Sequence, residues 1–209
     1  MMKVLLINGS PKAAGTTHRA LQEAACELNR EGIETEIVQT GKEPVRDCMG
    51  CGACRKLGKC VFGDGDGINA LIEKAAGADG FLFGTPVYYA HPTGQVLSIL
   101  DRLFYAGKKA FAHKPGACVI CARRAGTTAS FDVMNKYFAI SEMPIVSSTY
   151  WNMTHGNGPD EAEQDGEGMQ TIRNLARNMA WLLRCIEAGK QAGVALPETE
   201  TGARTNFIR

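Results

Sequence analysis

Short apolar segments alternate with amphipathic ones along most of this chain, and that alternation limits the possible folds more than any other feature. Segments with the pattern of strands lie at residues 3–8, 34–39, 80–84, 117–122 and 144–150. Most of them are apolar runs with the length of buried strands, whereas 34–39 alternates around Ile37. Segments with helical periodicity lie at residues 18–30, 68–78, 94–105, 128–140 and 169–186. Strands that alternate with helices form a parallel sheet covered on both faces. The sequence therefore predicts an α/β fold, a doubly wound sheet of five parallel strands.

These elements fill the chain as one domain. At 209 residues the chain can bury a substantial core without disulfides. We expect a domain over residues 1–190, with a cysteine-rich loop at 47–66, and a C-terminal tail over 191–209 that has no clear period. The stretch 40–66 is unusually long for a connection, which marks it as functional.

The balance of charges excludes some classes of protein. Lysine and arginine total 23 against 22 aspartates and glutamates, a formal net charge of +1, whereas dedicated nucleic-acid binders carry a basic excess. No apolar run approaches the length of a transmembrane helix or a signal-peptide core. We therefore expect a soluble, cytoplasmic protein that binds neither nucleic acid nor membranes.

The loop after the first strand has the composition of a phosphate site. It leads into a helix N-terminus, where free N–H groups and the helix dipole favour an anion. Ser10, Thr16 and Thr17 add hydroxyl groups, and Lys12 adds a positive charge. A dinucleotide site is disfavoured, because no GxGxxG is present and the second strand ends in Gln39-Thr40 without an acidic residue. A loop that only caps a helix fits these residues equally well.

Two further loops follow strands at the edge of the sheet where ligands bind in doubly wound folds. After the third strand, Tyr88 and Tyr89 can flank a flat ring, although packing at the rim is the alternative. After the fourth strand, the turn with Arg123 and Arg124 can donate to a flavin ring, or it is a solvated turn. A phosphate end, an aromatic wall and a donor edge together outline a bound FMN.

The residues of these loops resemble those of the flavodoxin-like NADPH-dependent FMN reductase family. The resemblance rests on Gly9-Ser-Pro-Lys with Thr16-Thr17, on Gly84-Thr-Pro-Val-Tyr-Tyr89, and on Gly94-Gln-Val-Leu with Leu100-Asp-Arg102, and it covers about residues 3–186. It implies the strand order 2-1-3-4-5 and a homodimer or homotetramer in which a neighbour completes the pocket.

The same resemblance assigns roles around FMN. It places Ser10, Lys12, Thr16 and Thr17 on the 5′-phosphate. The residues that it places along the isoalloxazine ring are Pro86, Val87, Tyr88 and Tyr89. It closes the pyrimidine side of the ring with the turn 123–126, whose residues include Arg123, Arg124 and Gly126.

Four cysteines lie close together in the long loop, with spacing that suits a [4Fe–4S] cluster. They are Cys48, Cys51, Cys54 and Cys60, and the first three are separated by two-residue gaps, as in cluster-binding motifs. The nearby basic residues Arg55, Lys56 and Lys59 would offset an anionic cluster. The spacing resembles the compact motif of iron–sulfur flavoproteins, a branch of the same family in which a cluster exchanges electrons with FMN.

Other interpretations of the cysteines stay open. A structural zinc site is one, although zinc sites usually use two separated CxxC pairs. Free or disulfide-forming thiols are another. Cys118 and Cys121 lie three apart on a strand and so point to opposite faces, which makes them core residues. Cys26 and Cys185 lie on predicted helices, where we expect them to pack.

The sequence thus predicts an FMN-dependent oxidoreductase. FMN carries the chemistry, so no side chain is predicted to be catalytic. NAD(P)H is the expected transient electron donor, and a flavin, a quinone or a redox protein is the expected acceptor, with a [4Fe–4S] cluster as a possible relay. An electron carrier without its own substrate, an FMN-only quinone or nitro reductase, and a non-catalytic FMN- or metal-binding protein are the alternatives.

Overall fold

The computed structural model describes residues 1–208 as strands and helices in near-regular alternation. Six strands and seven helices are present in these residues: β1 (Lys3–Asn8), α1 (Thr16–Arg30), β2 (Glu34–Gln39), α2 (Cys54–Leu57), α3 (Ile68–Ala76), β3 (Gly80–Tyr88), β4 (His91–Pro92), α4 (Gly94–Phe111), β5 (Gly116–Ala122), α5 (Thr127–Ala139), β6 (Met153–His155), α6 (Pro159–Gln164) and α7 (Gly166–Gln191).

The sheet has the strand order β2-β1-β3-β5-β6, and all five of these strands run parallel. The two-residue strand β4 pairs antiparallel with the end of β3. When β4 is left out and the remaining five strands are numbered along the chain, their order is 2-1-3-4-5, as predicted. The prediction of a flavodoxin-like, doubly wound parallel sheet is confirmed, and it puts the carboxyl ends of β1, β3 and β5 at one edge.

Each face of the sheet carries its own apolar core, because successive side chains of a buried strand point to opposite faces. In β1, Val4 and Leu6 pack toward α1 and α7, whereas Leu5 and Ile7 pack toward α3 and α4. The strand β5 divides its cysteines in the same way. Cys121 belongs to the first core and Cys118 to the second, and both are buried, as predicted.

The predicted fifth strand at residues 144–150 is wrong. This segment makes only an isolated bridge, between Ile145 and Gly116, and then leaves the sheet. Its polar residues bond to α7 instead: Ser148 donates to the carbonyl oxygen of Thr171, and Asn178 donates to the carbonyl oxygen of Ser147. The chain returns to the sheet only at β6, where Met153 pairs with Ile120.

Several predicted boundaries also move. Strand β3 continues through the Thr-Pro-Val-Tyr segment to Tyr88 and forms a tight hairpin with β4. Helix α1 begins at Thr16, two residues before the predicted start, and α4 continues to Phe111. The expectation that Cys26 and Cys185 are packed is wrong, because both are exposed on the outer faces of their helices.

The cysteine-rich loop lies outside the sheet and packs on α4. Gln95 of α4 donates to the carbonyl oxygen of Glu43 at 2.8 Å. At the other end of the loop, the side chain of Asn69 bonds to both the N–H and the carbonyl oxygen of Cys60, each at 2.9 Å. Among residues 1–208, no helix is both long and apolar enough to cross a membrane.

Candidate functional site

A hydrogen-bond network fixes the loop after β1. The side chain of Asn8 accepts from the N–H of Ser10 and donates to Gln39 at the end of β2. Gln39 in turn donates to the carbonyl oxygen of Ser10 at 2.6 Å, and the Ser10 hydroxyl accepts from the N–H of Lys12 at 3.1 Å. Because Asn8, Ser10 and Gln39 bond to one another, the loop is held in one conformation at the start of α1.

This loop opens onto a cavity of about 170 Å³, which we call the cradle cavity. Its lining consists of Ser10, Lys12, Gly15, Thr16, Thr17, Pro86, Val87, Tyr88, Cys121, Ala122, Arg123, Gly156 and Asn157. Two cations line it, and none of the described lining residues is an aspartate or glutamate. The first turn of α1 carries no acidic residue and no side-chain cap, so its N–H groups are free for an anion.

The structure brings most of the residues predicted to hold FMN to this one cavity. The exceptions are Tyr89, Arg124 and Gly126. Tyr89 is fully exposed at the tip of the β3–β4 hairpin, with a φ of 52°. Gly126 lies against the hairpin instead, because a β-carbon there would stand 2.5 Å from the Cα of Ala90. The exposed Arg124 belongs to the same turn.

Sequence reasoning missed part of this cavity. Gly156 and Asn157 close one side, where the hydroxyl of Thr16 donates to the carbonyl oxygen of Gly156 at 3.4 Å. Cys121 and Ala122 line the floor at the end of β5. Only the fold shows that Gly156 and Asn157, which follow β6, meet the loop after β1.

The thiol of Cys121 is held neutral beneath this cavity. Its Sγ lies 3.2 Å from the hydroxyl oxygen of Thr154 in β6. Burial raises the pKa of Cys121 to about 11, although hydrogen bonding to the hydroxyls of Thr154 and Thr17 works in the opposite direction. An uncharged thiol leaves the cavity without a negative group that would repel a phosphate.

The four cysteines of the long loop line a second cavity, of about 150 Å³, which we call the cysteine cavity. Cys48, Cys51, Cys54 and Cys60 all line it, together with Arg102 of α4. Glycines between the first three cysteines turn the backbone sharply, since Gly50 and Gly52 have φ values of 64° and 70°. Within residues 1–208, no three His, Cys, Asp or Glu side chains converge closely enough to form a metal site.

Arg102 forms the floor of the cysteine cavity. Its side chain is 2% exposed, and its Nε and Nη2 atoms each lie 3.3 Å from the Sγ of Cys60. Burial disfavours a charged guanidinium, but bonds to Asp66 and Cys60 outweigh burial and raise the pKa of Arg102. Of the basic residues predicted to offset a cluster, Arg55 lines the cavity, whereas Lys59 pairs with Asp64 at 3.0 Å.

The residue types that line the two cavities are those that the predicted groups require, although the four thiols do not converge as a metal site within residues 1–208. A phosphate monoester requires hydroxyls, free N–H groups and cations as its donors. The cradle cavity offers all three, with two cations and no acid among its described lining residues. Four cysteine thiols are the donor set of an anionic iron–sulfur cluster. The cysteine cavity is lined by four thiols and by the buried cation of Arg102. In doubly wound sheets, ligands bind at the edge where the carboxyl ends of the strands meet, and the cradle cavity lies at that edge.

The strand order of the parallel sheet, with a cavity at the loop after β1, places this protein in the flavodoxin-like class. The chain belongs to the NADPH-dependent FMN reductase family, whose pattern matches residues 2–158. It is accordingly an oxidoreductase that uses FMN, which confirms the predicted family and cofactor at this level.

Relatives and solved structures agree with this assignment. An iron–sulfur flavoprotein of Methanocaldococcus jannaschii is 29% identical over 194 residues, which is 89% of this chain and 100% of that protein. An iron–sulfur flavoprotein of Methanosarcina thermophila is 29% identical over 195 residues, 90% of this chain and 99% of the relative. The flavodoxin-like WrbA-like protein of Agrobacterium tumefaciens shares the fold with a TM-score of 0.63 at 15% identity, over 88% of this chain and 99% of that one.

Proposed function

We propose that this protein takes electrons from NAD(P)H onto FMN in the cradle cavity and passes them to an acceptor through a [4Fe–4S] cluster in the cysteine cavity. One observation carries the proposal: all four predicted cysteine ligands line a single cavity on the side of α4. The names of the full-length iron–sulfur flavoprotein relatives support the same combination of groups.

The cradle cavity would hold the phosphate end of FMN. Ser10, Thr16 and Thr17 offer hydroxyls and N–H groups, and Lys12 offers a charge at the same mouth. When bound, FMN accepts a hydride and releases electrons one or two at a time. The protein orients the ring between the β3–β4 hairpin and the turn after β5, where Arg123 supplies positive charge near the pyrimidine edge.

Helix α4 connects the two cavities. Its N-cap residue Thr93 donates to the carbonyl oxygen of Gly9 in the loop of the cradle cavity, and its own hydroxyl accepts from the N–H of Val96. Arg102, at the cysteine cavity, follows Gly94 along this helix by a rise of about 12 Å. We propose that a flavin at the start of this helix and a cluster beside Arg102 exchange electrons directly, without a third cofactor.

The nicotinamide and the acceptor would approach the exposed side of the flavin. Tyr88 is half exposed there. Tyr150 and Trp151, in the segment before β6, are also exposed and pack on each other with ring centroids 4.9 Å apart. Exposed aromatics of this kind are typical of interfaces. We propose that a second copy of the chain covers this surface in a homodimer or homotetramer and completes the acceptor pocket.

A second candidate function is that of a quinone or nitro reductase that uses FMN alone. It is favoured by the separation of the cysteines, which share a cavity but do not converge as a metal site within residues 1–208. In this reading the thiols bind no cluster, and the acceptor meets the flavin directly.

Anaerobic purification separates the two candidates. We expect flavin absorbance, a broad shoulder bleached by dithionite, and about four irons with matching sulfide per chain. Cys51→Ser should remove the iron and keep the flavin, whereas Cys185→Ser, at an exposed cysteine outside the loop, should keep both. Flavin without iron in wild type would select the FMN-only reductase, and no flavin after addition of FMN would overturn both.

Turnover is the second part of the test. We expect wild type to oxidise NADH or NADPH in the presence of a quinone, free flavin or a ferredoxin-type acceptor. Loss of one-electron acceptor reduction in Cys51→Ser, with two-electron quinone reduction retained, would place the cluster on the path to the one-electron acceptor. Absence of turnover with every donor and acceptor would contradict an enzyme and leave a binding protein.

A further inference from the structure

A buried arginine contacts one of the four cysteines through two of its nitrogen atoms. Arg102 is among the largest fully buried side chains of the protein. Its Nε and Nη2 atoms both donate to the Sγ of Cys60 at 3.3 Å, so the sulfur receives two hydrogen bonds from one guanidinium. Such a two-point contact fixes the sulfur relative to α4.

The remaining atoms of the guanidinium are also held. Its Nη1 atom donates to the carbonyl oxygen of Arg46 at 3.2 Å, on the opposite arm of the cysteine-rich loop. Both Nη atoms bond to the carboxylate of Asp66, with Nη2 at 3.1 Å from Oδ1. Arg102 therefore ties both arms of the loop to one helix, and its planar fork suits this better than an ammonium group does.

Hydrogen bonds and positive charge around ligand sulfurs are the means by which a protein tunes an iron–sulfur cluster. A metal-bound cysteine is a thiolate, which accepts two N–H donors well. Arg102 meets both conditions at Cys60, and because it is buried, its field is little screened by solvent. The exposed basic residues of the loop lack that advantage.

We propose that Arg102 is a positioning residue that sets the reduction potential of the cluster through Cys60, with Asp66 limiting its effect. This inference rests on the cluster of the proposed function. One electron from the reduced flavin adds one negative charge to the cluster and its thiolates, and no bond to Cys60 forms or breaks. Two N–H donors and a nearby cation stabilise that extra charge, which raises the reduction potential.

The test is a redox titration of the anaerobic holoprotein, followed by the spectrum of the cluster. Arg102→Gln keeps helix propensity and polarity but removes the charge. We expect reduction to become at least tenfold less favourable, a fall of about 59 mV for a one-electron couple. Arg102→Lys should restore part of the potential, because it returns the charge without the two-point contact.

Two further variants complete the test. Lys42→Gln removes an exposed charge of the long connection 40–66 and should leave the potential unchanged. Asp66→Asn removes the carboxylate that offsets Arg102 and should raise the potential. Asp66→Asn also keeps the inference testable if Arg102→Gln does not fold, because it leaves the arginine in place.

The outcomes separate this inference from the proposed function. If wild type holds no iron after anaerobic reconstitution, the chain carries no cluster, and the proposed function itself is wrong. If wild type holds a cluster but its reduction potential is unchanged in Arg102→Gln and in Asp66→Asn, only the role of Arg102 is overturned. A potential that moves equally in Lys42→Gln would also overturn it, because the net charge of the long connection would then be sufficient.

Discussion

Gly9, in the loop after β1, lies so close to Val96 of α4 that a β-carbon on Gly9 would stand 2.6 Å from the Val96 Cγ2 atom. The same β-carbon would stand 2.8 Å from the carbonyl oxygen of Gly84, to which the N–H of Gly9 donates. One glycine therefore lets the loop after β1, strand β3 and helix α4 meet at the edge of the sheet.

Replacing Gly9 should separate these three elements. In Gly9→Ala the new methyl group meets a backbone oxygen and a buried side chain, so the loop must shift. We expect the free energy of unfolding to fall by about 1–3 kcal/mol, as overpacking does in cores, and FMN affinity to fall with it. Urea denaturation and fluorescence titration with FMN measure the two effects.

Gly94→Ala is the matched control for that substitution. Gly94 is exposed at the first position of α4, and nothing lies within 4 Å of where its β-carbon would be. Alanine should leave FMN affinity unchanged and stabilise the helix by up to about 1 kcal/mol. Equal losses in the two variants would contradict the close contact at Gly9.

The two adjacent tyrosines should differ sharply in their effect on flavin binding. Tyr88 lines the cradle cavity, whereas Tyr89 is fully exposed beyond it. Tyr88→Ala should weaken FMN binding by about 1 kcal/mol, roughly fivefold, through loss of aromatic contact. Tyr89→Ala should leave the dissociation constant of the single chain unchanged. A titration in which Tyr89→Ala loses as much affinity as Tyr88→Ala would contradict this arrangement.

A buried carboxylate joins the two helices on one face of the sheet. Glu27 of α1 accepts from Arg177 of α7 at 2.6 Å and from Arg30 at 3.1 Å. Burial alone would raise the pKa of Glu27, but the bonds from the two arginines outweigh it and lower the pKa. Glu27→Gln should lower the free energy of unfolding near neutral pH by about 1–2 kcal/mol.

The pH dependence of that loss has a definite sign. Because the folded-state pKa of Glu27 is depressed, its contribution is complete above the ordinary glutamate pKa and disappears as the pH falls through the lowered value. Wild type and Glu27→Gln should therefore converge in stability at acid pH. Glu73→Gln, at an exposed position of α3, should match wild type at every pH. Denaturation curves between neutral and acid pH decide the question.

The cysteines should fall into distinct reactivity groups. Cys118 and Cys121 are buried, and burial raises the pKa of both thiols, that of Cys121 to about 11. A neutral, buried thiol reacts poorly with alkylating agents. Iodoacetamide at neutral pH should label Cys26 and Cys185 in the native apoprotein and reach Cys118 and Cys121 only after unfolding, as peptide mass spectrometry can show. Early labelling of Cys121 would mean that the floor of the cavity opens.

The sequence was sufficient for the parts of the fold that local patterns determine. A buried parallel strand shows as an unbroken apolar run, so β1 and β5 were predicted closely, whereas β2 was predicted from its alternation around Ile37. The fifth strand failed because residues 144–150 combine apolar and β-branched residues with serines and a threonine. Whether such a segment joins the sheet depends on partners distant in sequence, here the carbonyl of Thr171 and the side chain of Asn178.

The candidate site likewise has residues that the sequence predicts and residues that only the fold brings together. Ser10, Lys12, Thr16 and Thr17 could be chosen in advance because loop and helix adjoin in the chain. Gly156 could not, because it lies 140 residues from Thr16 in the sequence and the two meet only in the folded chain. Arg102 was visible as part of a family-like segment, but its contact with Cys60 depends on how the long loop returns to α4.

The cysteine-rich loop lies beside the sheet and contributes no strand to it. Both apolar cores are complete from the strands and the long helices, so the architecture does not depend on metal. In the proposed function, loss of the cluster would therefore remove one-electron transfer and leave the folded chain in place. Delivery of iron and sulfide would restore that transfer to chains that are already made.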